Sequence, residues 1–212
     1  TETVASDSVT PSAAVTADQA IDIYANNNAA TFAISDTQAN LTTNRLDAAM
    51  DNATSITATT ALTVAEVTAF NAASTVGLSA GYALVDSFAN ITGAAADITS
   101  AAGNITLNGA AITVANAITL NNLLNTGTTS YELADAIGTM LAASTATVAG
   151  ATTASVTTGT LTAAQATAVV DKYTADVFAD ANLIISDTAA NLAAMSAAVA
   201  AEANAITVSA GT

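Results

Sequence analysis

Tyr82-Ala83-Leu84-Val85-Asp86-Ser87-Phe88-Ala89-Asn90-Ile91 decides how this chain is read, because versions of it return elsewhere in the sequence. They are Phe32-Ala33-Ile34-Ser35-Asp36-Thr37-Gln38-Ala39-Asn40-Leu41, Tyr131-Glu132-Leu133-Ala134-Asp135-Ala136-Ile137-Gly138-Thr139-Met140 and Leu183-Ile184-Ile185-Ser186-Asp187-Thr188-Ala189-Ala190-Asn191-Leu192. The aspartates at their centres, Asp36, Asp86, Asp135 and Asp187, are 50, 49 and 52 residues apart. A nearly fixed period of that length marks a repeat array, in which each unit buries its apolar face on the next.

Within each copy the apolar residues first alternate, as in Tyr82 and Leu84 or Tyr131 and Leu133, which is the period of a half-buried strand ending at the aspartate. The period then changes. From Asp36 to Asp51 a helical spacing places Ala39, Leu41 or Thr42, Leu46, Ala49 and Met50 on one side, so a second helix is expected to begin at Asp36 and, by analogy, at Asp86, Asp135 and Asp187.

A second motif recurs upstream of each strand. Val15-Thr16-Ala17-Asp18-Gln19, Leu62-Thr63-Val64-Ala65-Glu66, Ile112-Thr113-Val114-Ala115-Asn116 and Leu161-Thr162-Ala163-Ala164-Gln165 lie 47, 50 and 49 residues apart. Except at Asn116, the Thr is followed by Gln or Glu at the third position, the signature of a capping box in which hydroxyl and carboxamide or carboxylate satisfy reciprocal backbone amides. These helices are expected to stop near Asn26 to Asn28, Gly77, Asn125 to Gly127, and Tyr173 to Asp176. Short β-branched segments around Ile56, Ile105, Val156 and Ile206 close each repeat.

The expected architecture is therefore an α/β repeat solenoid of strand-helix units with parallel strands and right-handed crossovers, in four repeats of about 50 residues. The repeats span roughly 13–60, 61–110, 111–159 and 160–212 as one array. Residues 1–12, with the lone Pro11, read as an N-terminal arm. Asn108-Gly109 between apolar segments is a strong hairpin signal, and the Thr-rich composition favours strands, so an all-β solenoid is the alternative.

Composition narrows the function. Of 212 residues, 52% are hydrophobic, largely through alanine, so close approach of backbones replaces bulky packing. Only 9% are charged, with 17 acidic side chains against Arg45 and Lys172, a net charge of −15. Such a surface repels phosphate backbones and anionic lipid, which argues against nucleic-acid binding and electrostatic membrane docking and makes divalent cations the natural ionic partners. No run reaches the roughly 18 apolar residues of a membrane span, so no membrane insertion is expected. Histidine and cysteine are absent, which removes the conventional catalytic triad, the thiol nucleophile and the imidazole zinc site. Paired carboxylates for glycoside hydrolysis remain chemically allowed, but nothing singles out two. The expectation is that the chain is not an enzyme.

Ser186-Asp187-Thr188-Ala189-Ala190-Asn191-Leu192, its variant Ser35 to Leu41, and Leu161-Thr162-Ala163-Ala164-Gln165-Ala166 resemble the repeats of very large secreted bacterial surface proteins, adhesin-like and S-layer-like, exported by type I systems. The resemblance covers nearly all of residues 13–212. It implies an extracellular or cell-surface location and a structural role. Such families often bind calcium through Gly/Asp-rich nonapeptides, but Gly-Gly-x-Gly-x-Asp does not occur in this sequence.

The recurrent aspartates admit two readings. They are candidate cation ligands, Asp36, Asp86, Asp135 and Asp187, with Asn40, Asn90 and Asn191 four residues on; or they cap the helices that follow, the reading favoured by one Asp per rung, since hard ions need more converging oxygens. Further acidic groups are Asp18 with Asp22, Asp47 with Asp51, and Asp171 with Asp176 and Asp180, read as solvated faces or weak surface calcium sites. Sequons at Asn40, Asn52, Asn90 and Asn104 make surface glycan a further partner. The functional expectation is an extracellular structural repeat protein that self-associates into a fibre or lattice as a surface-layer, fibre or adhesin-stalk subunit, with no cofactor required and calcium the one candidate. The alternative is a carbohydrate- or cation-binding module of a larger adhesin.

Overall fold

The computed structural model describes residues 10–157, 159–174, 177–178 and 183–209. It is α/β with parallel strands. The chain divides into two compact units: one takes the described residues up to Thr106 with Leu124–Thr128, the other Leu107–Leu123 and the described residues from Thr129 onward. Of the expected arm, residues 1–9 lie outside the described residues. Among the described residues no helix is long and apolar enough to cross a membrane.

The first unit runs α1 (Ala17–Asn26), β1 (Phe32–Asp36), α2 (Gln38–Asn44), α3 (Ala48–Asp51), β2 (Ala53–Ala58), α4 (Val64–Ala73), β3 (Tyr82–Asp86), α5 (Phe88–Gly93), α6 (Ala96–Ala101) and β4 (Ala102–Leu107), the last residue of which belongs to the second unit. β1 pairs with β2 in parallel, Ile34 opposite Ile56 and Asp36 opposite Ala58. A parallel partner cannot be reached through a tight turn, and α2 with α3 supplies the crossover. β3 and β4 are hydrogen-bonded neighbours joined in the same way by α5 and α6. In β1 and β3 every second side chain is buried, as the alternation requires. Phe32, Ile34, Leu41, Met50, Ile56 and Phe70 fill the core around the first strand pair, with Ala17, Ala20, Ala30, Ala49 and Ala53 between them. A methyl group at these contact points lets the helices lie close to the strands, which is how an alanine-rich chain still packs densely.

The second unit runs α7 (Val114–Asn121), β5 (Thr129–Asp135), α8 (Ile137–Ala142), α9 (Thr145–Gly150), β6 (Ala151–Val156), β7 (Thr160–Leu161), α10 (Ala163–Tyr173), β8 (Ile184–Asp187), α11 (Ala189–Ala193), α12 (Ala197–Ala201) and β9 (Ala205–Val208). β5 pairs with β6 in parallel, Leu133 opposite Ala154, and β8 lies between β7 and β9, also in parallel. Tyr131, Leu133, Met140, Val169, Tyr173, Phe178 and Ile185 are buried here.

The capping boxes at Thr16/Gln19, Thr63/Glu66 and Thr162/Gln165 are formed in both directions, whereas Thr113 accepts only the Asn116 amide proton. The shorter Asn side chain explains the half-formed motif.

The second helix of each repeat departs from expectation. It starts after the residue following Asp, since Thr37, Ser87, Ala136 and Thr188 are the N-caps, and it is broken into two short helices. Asp47, Ser144 and Ser196 cap the second pieces by accepting the amide protons of Ala49, Thr147 and Val199, and Ala95 stands at the equivalent place without a side-chain cap. The break lets the polypeptide turn back to the sheet within about a dozen residues, where a single straight helix would overshoot it. The first helices also stop earlier than expected, α4 at Ala73 and α7 at Asn121. Asn108-Gly109 does not make a hairpin. Gly109 takes φ +104°, and Ile112 then forms a parallel bridge with Leu133 before the chain enters α7.

Candidate functional site

The recurrent aspartates sit at equivalent junctions. Each is two residues past the position where its strand bridges, in parallel, the residue just before the capping Thr: Val15 opposite Ile34, Leu62 opposite Leu84, Ile112 opposite Leu133, and Leu161 opposite Ile185. At the first junction the parallel ladder is regular for one residue, with Val15 N–H donating to Ala33 O and Ser35 N–H to Val15 O, both at 2.9 Å. The next donor in such a ladder is the N–H of residue 17, but there the chain has already turned into α1. Asp36 Oδ2 takes over and accepts Ala17 N–H at 2.9 Å.

The same replacement is made at the other junctions, where Val64, Val114 and Ala163 donate to Oδ2 of Asp86, Asp135 and Asp187 at 3.0, 3.1 and 3.0 Å. The second oxygen faces the next helix. Oδ1 accepts the N–H of the N-cap residue, Thr37 at 2.7, Ser87 at 2.8, Ala136 at 2.7 and Thr188 at 2.8 Å. Asn40, Asn90 and Asn191 add a side-chain N–H to that same oxygen at 2.9, 2.7 and 2.8 Å. The third junction has Thr139 in place of Asn. The main-chain carbonyls of Asp36, Asp135 and Asp187 also accept from Thr59, Thr157 and Ser209 beyond the following strand.

One carboxylate thus joins two helix N-termini and a strand. Negative charge at that point opposes two positive helix ends and satisfies amide donors that have no intrahelical acceptor. The charge state follows. At Asp36 and Asp86 burial alone would raise the carboxyl pKa, but the converging N–H donors outweigh it and hold both below the ordinary carboxylate range. At Asp187 the Asn191 side chain and the Thr188 amide are the main causes of a lowered value.

These shifts predict the acid limb of stability. A carboxylate with a folded pKa below its unfolded value of about 3.9 stabilises fully above that value and is lost as pH falls through the folded one. Relief of self-repulsion acts in the opposite sense, since a net charge of −15 falls as exposed carboxylates protonate. The melting temperature should therefore hold or rise slightly from pH 7 to about 4.5 and drop steeply below about 3.8. A loss of stability centred above pH 5 would show that other groups control it.

The remaining sequence candidates are dispersed. Asp47 caps α3, while Asp51 accepts from Thr75 N–H at 2.7 Å and Thr75 Oγ1 at 2.9 Å, so this i,i+4 pair serves two different contacts. Asp18 accepts from Asn44 Nδ2 at 3.1 Å. Asp176 and Asp180 lie outside the described residues. Among the described residues no three acidic side chains gather as a group that could hold a metal ion. The sequon asparagines are engaged too: Asn40 and Asn90 donate to the aspartates, Asn52 Nδ2 to Ala30 O, and Asn104 Oδ1 accepts Thr128 N–H.

Both cations act on helix ends. Lys172 Nζ donates to the carbonyls of Leu141 and Ala143 at 2.5 and 2.7 Å, at the C-terminus of α8, and Arg45 Nη1 donates to Thr42 O at 2.5 Å, at the end of α2. That placement opposes the negative ends of the helix dipoles. The strand-leading tyrosines are structural in their contacts: Tyr82 Oη donates to Ile98 O and Tyr131 Oη to Thr147 O, both at 2.8 Å and both 16 residues on. Burial, with Tyr131 and Asp135 nearby, pushes the Tyr173 pKa up to about 12, and its protonated hydroxyl donates to Met140 O at 3.1 Å.

Sequence reasoning located the aspartates but not their partners 19 to 24 residues upstream. The signal was present in the recurrence of an Asp 20 to 25 residues after the Thr of each capping motif. Comparison with protein-family models, with curated proteins and with solved structures finds no match.

Proposed function

We propose that this chain is a structural repeat protein: a solenoid of four repeats of about 50 residues that self-associates, as a subunit of a surface layer, fibre or adhesin stalk outside a bacterial cell, and carries no catalytic role. The observation that carries this reading is the fourfold aspartate junction. Its most regular polar side chain in each repeat is directed at main-chain amides between successive rungs, rather than into a shared cleft. Supporting it, side-chain hydrogen bonds recur at one rung's separation: Thr54 Oγ1 to Phe32 O, Thr152 Oγ1 to Tyr131 O and Thr207 Oγ1 to Ile185 O span 22, 21 and 22 residues. Location outside the cell rests on the acidic, Thr-rich, cysteine-free composition and on the resemblance of the Ser186 to Leu192 motif to secreted surface repeats.

Electron microscopy of the purified chain, in calcium and in chelator, tests the proposal. Regular fibres or sheets in both conditions are expected. Their loss in chelator would make calcium bridging between acidic faces part of the assembly, and dispersed particles in both would overturn self-assembly by this chain.

A further inference from the structure

Asn108-Gly109 has the chemistry of a modification site. It is the only Asn-Gly pair in the sequence, and residues 108–111 are exposed between β4 and the parallel bridge of Ile112 with Leu133. The fold does not demand this pair. Three residues past Ile56 and Ala154, the buried centres of β2 and β6, stand Thr59 and Thr157, where Asn108 stands three past Ile105 of β4.

An asparagine carboxamide is open to attack by the next main-chain nitrogen when that nitrogen is uncrowded, engaged by no other partner and able to lose its proton. Gly109 brings no Cβ beside its nitrogen, and no atom lies within 4 Å of where one would be. Among the described residues, neither the Asn108 carboxamide nor Gly109 N–H makes a hydrogen bond. Other asparagines are restrained. The side chains of Asn40, Asn90 and Asn191 are tied to the aspartates, and Asn104 Oδ1 accepts Thr128 N–H at 3.0 Å. The amides that follow Asn28, Asn116, Asn122 and Asn204 are themselves donors, to Asn27 Oδ1, Thr113 O, Leu120 O and Leu183 O.

We propose that Asn108 is a self-modification site, converted to aspartate and isoaspartate with water as the only co-reactant. The Gly109 nitrogen gives up its proton and bonds to Asn108 Cγ. The Cγ–Nδ2 bond breaks, and the side-chain nitrogen takes that proton and leaves as ammonia. One water then opens the five-membered succinimide. Attack at Cγ breaks the new bond and gives aspartate, whereas attack at the main-chain carbonyl carbon breaks the original peptide bond and gives isoaspartate, whose backbone runs through the side chain. Either product adds one negative charge to a chain already at −15. Exposed Ala110 and Ala111 separate the site from Ile112, whose N–H donates to Glu132 O at 2.8 Å, so the fold should survive the change.

Peptide mapping by mass spectrometry tests this on the wild-type chain held in mildly alkaline and in mildly acidic buffer, with electron-transfer fragmentation separating aspartate from isoaspartate. Conversion at 108 should be at least about tenfold faster than at any other asparagine, and faster in the alkaline arm because the attacking nitrogen must lose its proton. The native rate should stay within about tenfold of the rate in urea, since the fold places nothing in the way. Asn108→Thr, the residue its counterparts carry, should keep the wild-type far-UV circular dichroism and abolish the slow acidic shift on isoelectric focusing. If that variant does not fold, the wild-type map decides. A native rate suppressed further than this, or earlier conversion at another asparagine, overturns the proposal.

Discussion

Asp86→Ala is expected to destabilise the protein by about 2–4 kcal/mol, the range for removing a charged acceptor from several buried partners. The substitution strips hydrogen bonds from Val64 N–H, Ser87 N–H and Asn90 Nδ2, which donate at 3.0, 2.8 and 2.7 Å. Water cannot easily replace them, because Asp86 is a buried residue at the end of β3. At about 2–4 °C per kcal/mol for a chain of this size, the melting temperature should fall by roughly 5–15 °C.

Two companion variants make the test specific. Asp86→Asn retains an oxygen but turns a second donor toward one of the amides, so an intermediate loss is expected. Asp135→Ala should cost less, since that carboxylate accepts from Val114 and Ala136 but has Thr139 where Asn90 stands. A cation-ligand role makes a different prediction: chelator would lower the wild-type melting temperature and leave Asp86→Ala unmoved. Urea titration followed by circular dichroism reads all of these. An Asp86→Ala loss below about 0.5 kcal/mol, the size of an ordinary surface substitution, would sink the junction argument.

Gly103→Ala is the second large effect, and its origin is steric. A Cβ at Gly103 would lie 2.7 Å from the carbonyl oxygen of Gly81, and the obstacle is backbone, which has no rotamer to adopt. Gly81 itself takes φ +98°, a conformation that L side chains rarely adopt. Further along the chain a Cβ at Gly127 would meet Gly103 backbone at 2.9 Å. These glycines form a column along which successive backbones touch. Accommodating one methyl requires the strands to separate, at a cost near the top of the range of about 1–3 kcal/mol for overpacking. Gly93→Ala is the contrast: no atom lies within 4 Å of its Cβ position, it ends α5, and the change should be neutral or stabilising by up to about 1 kcal/mol. Equal losses at Gly103 and Gly93 would show that backbone entropy rather than contact sets the glycine requirement.

Much of the local structure was legible without coordinates, for identifiable reasons. Capping boxes are short-range, so Thr16, Thr63 and Thr162 announced their helices through residues three positions away. Strands β1 and β3 were readable from alternation, because a half-buried strand must alternate. The break between α2 and α3 was also marked, by Asp47 as a second cap, but an unbroken helical period across Leu41, Leu46 and Met50 obscured it. Leu46 is in fact 78% exposed, at the break itself.

By itself, then, the sequence determined the period, the starts of the helices that follow the capping motifs, the strand that ends in aspartate and the acidic surface, since each depends on residues within one or two turns of each other or on composition. Tertiary structure alone decided what the aspartates hold and where glycine is required. Ala17 and Asp36, or Gly81 and Gly103, meet only because parallel stacking brings together residues about 20 apart. It also decided that Asn108-Gly109 bends the chain toward a parallel bridge at Ile112 rather than closing a hairpin. Local turn chemistry permits both outcomes, and burial of Ile112 against the next strand selects one.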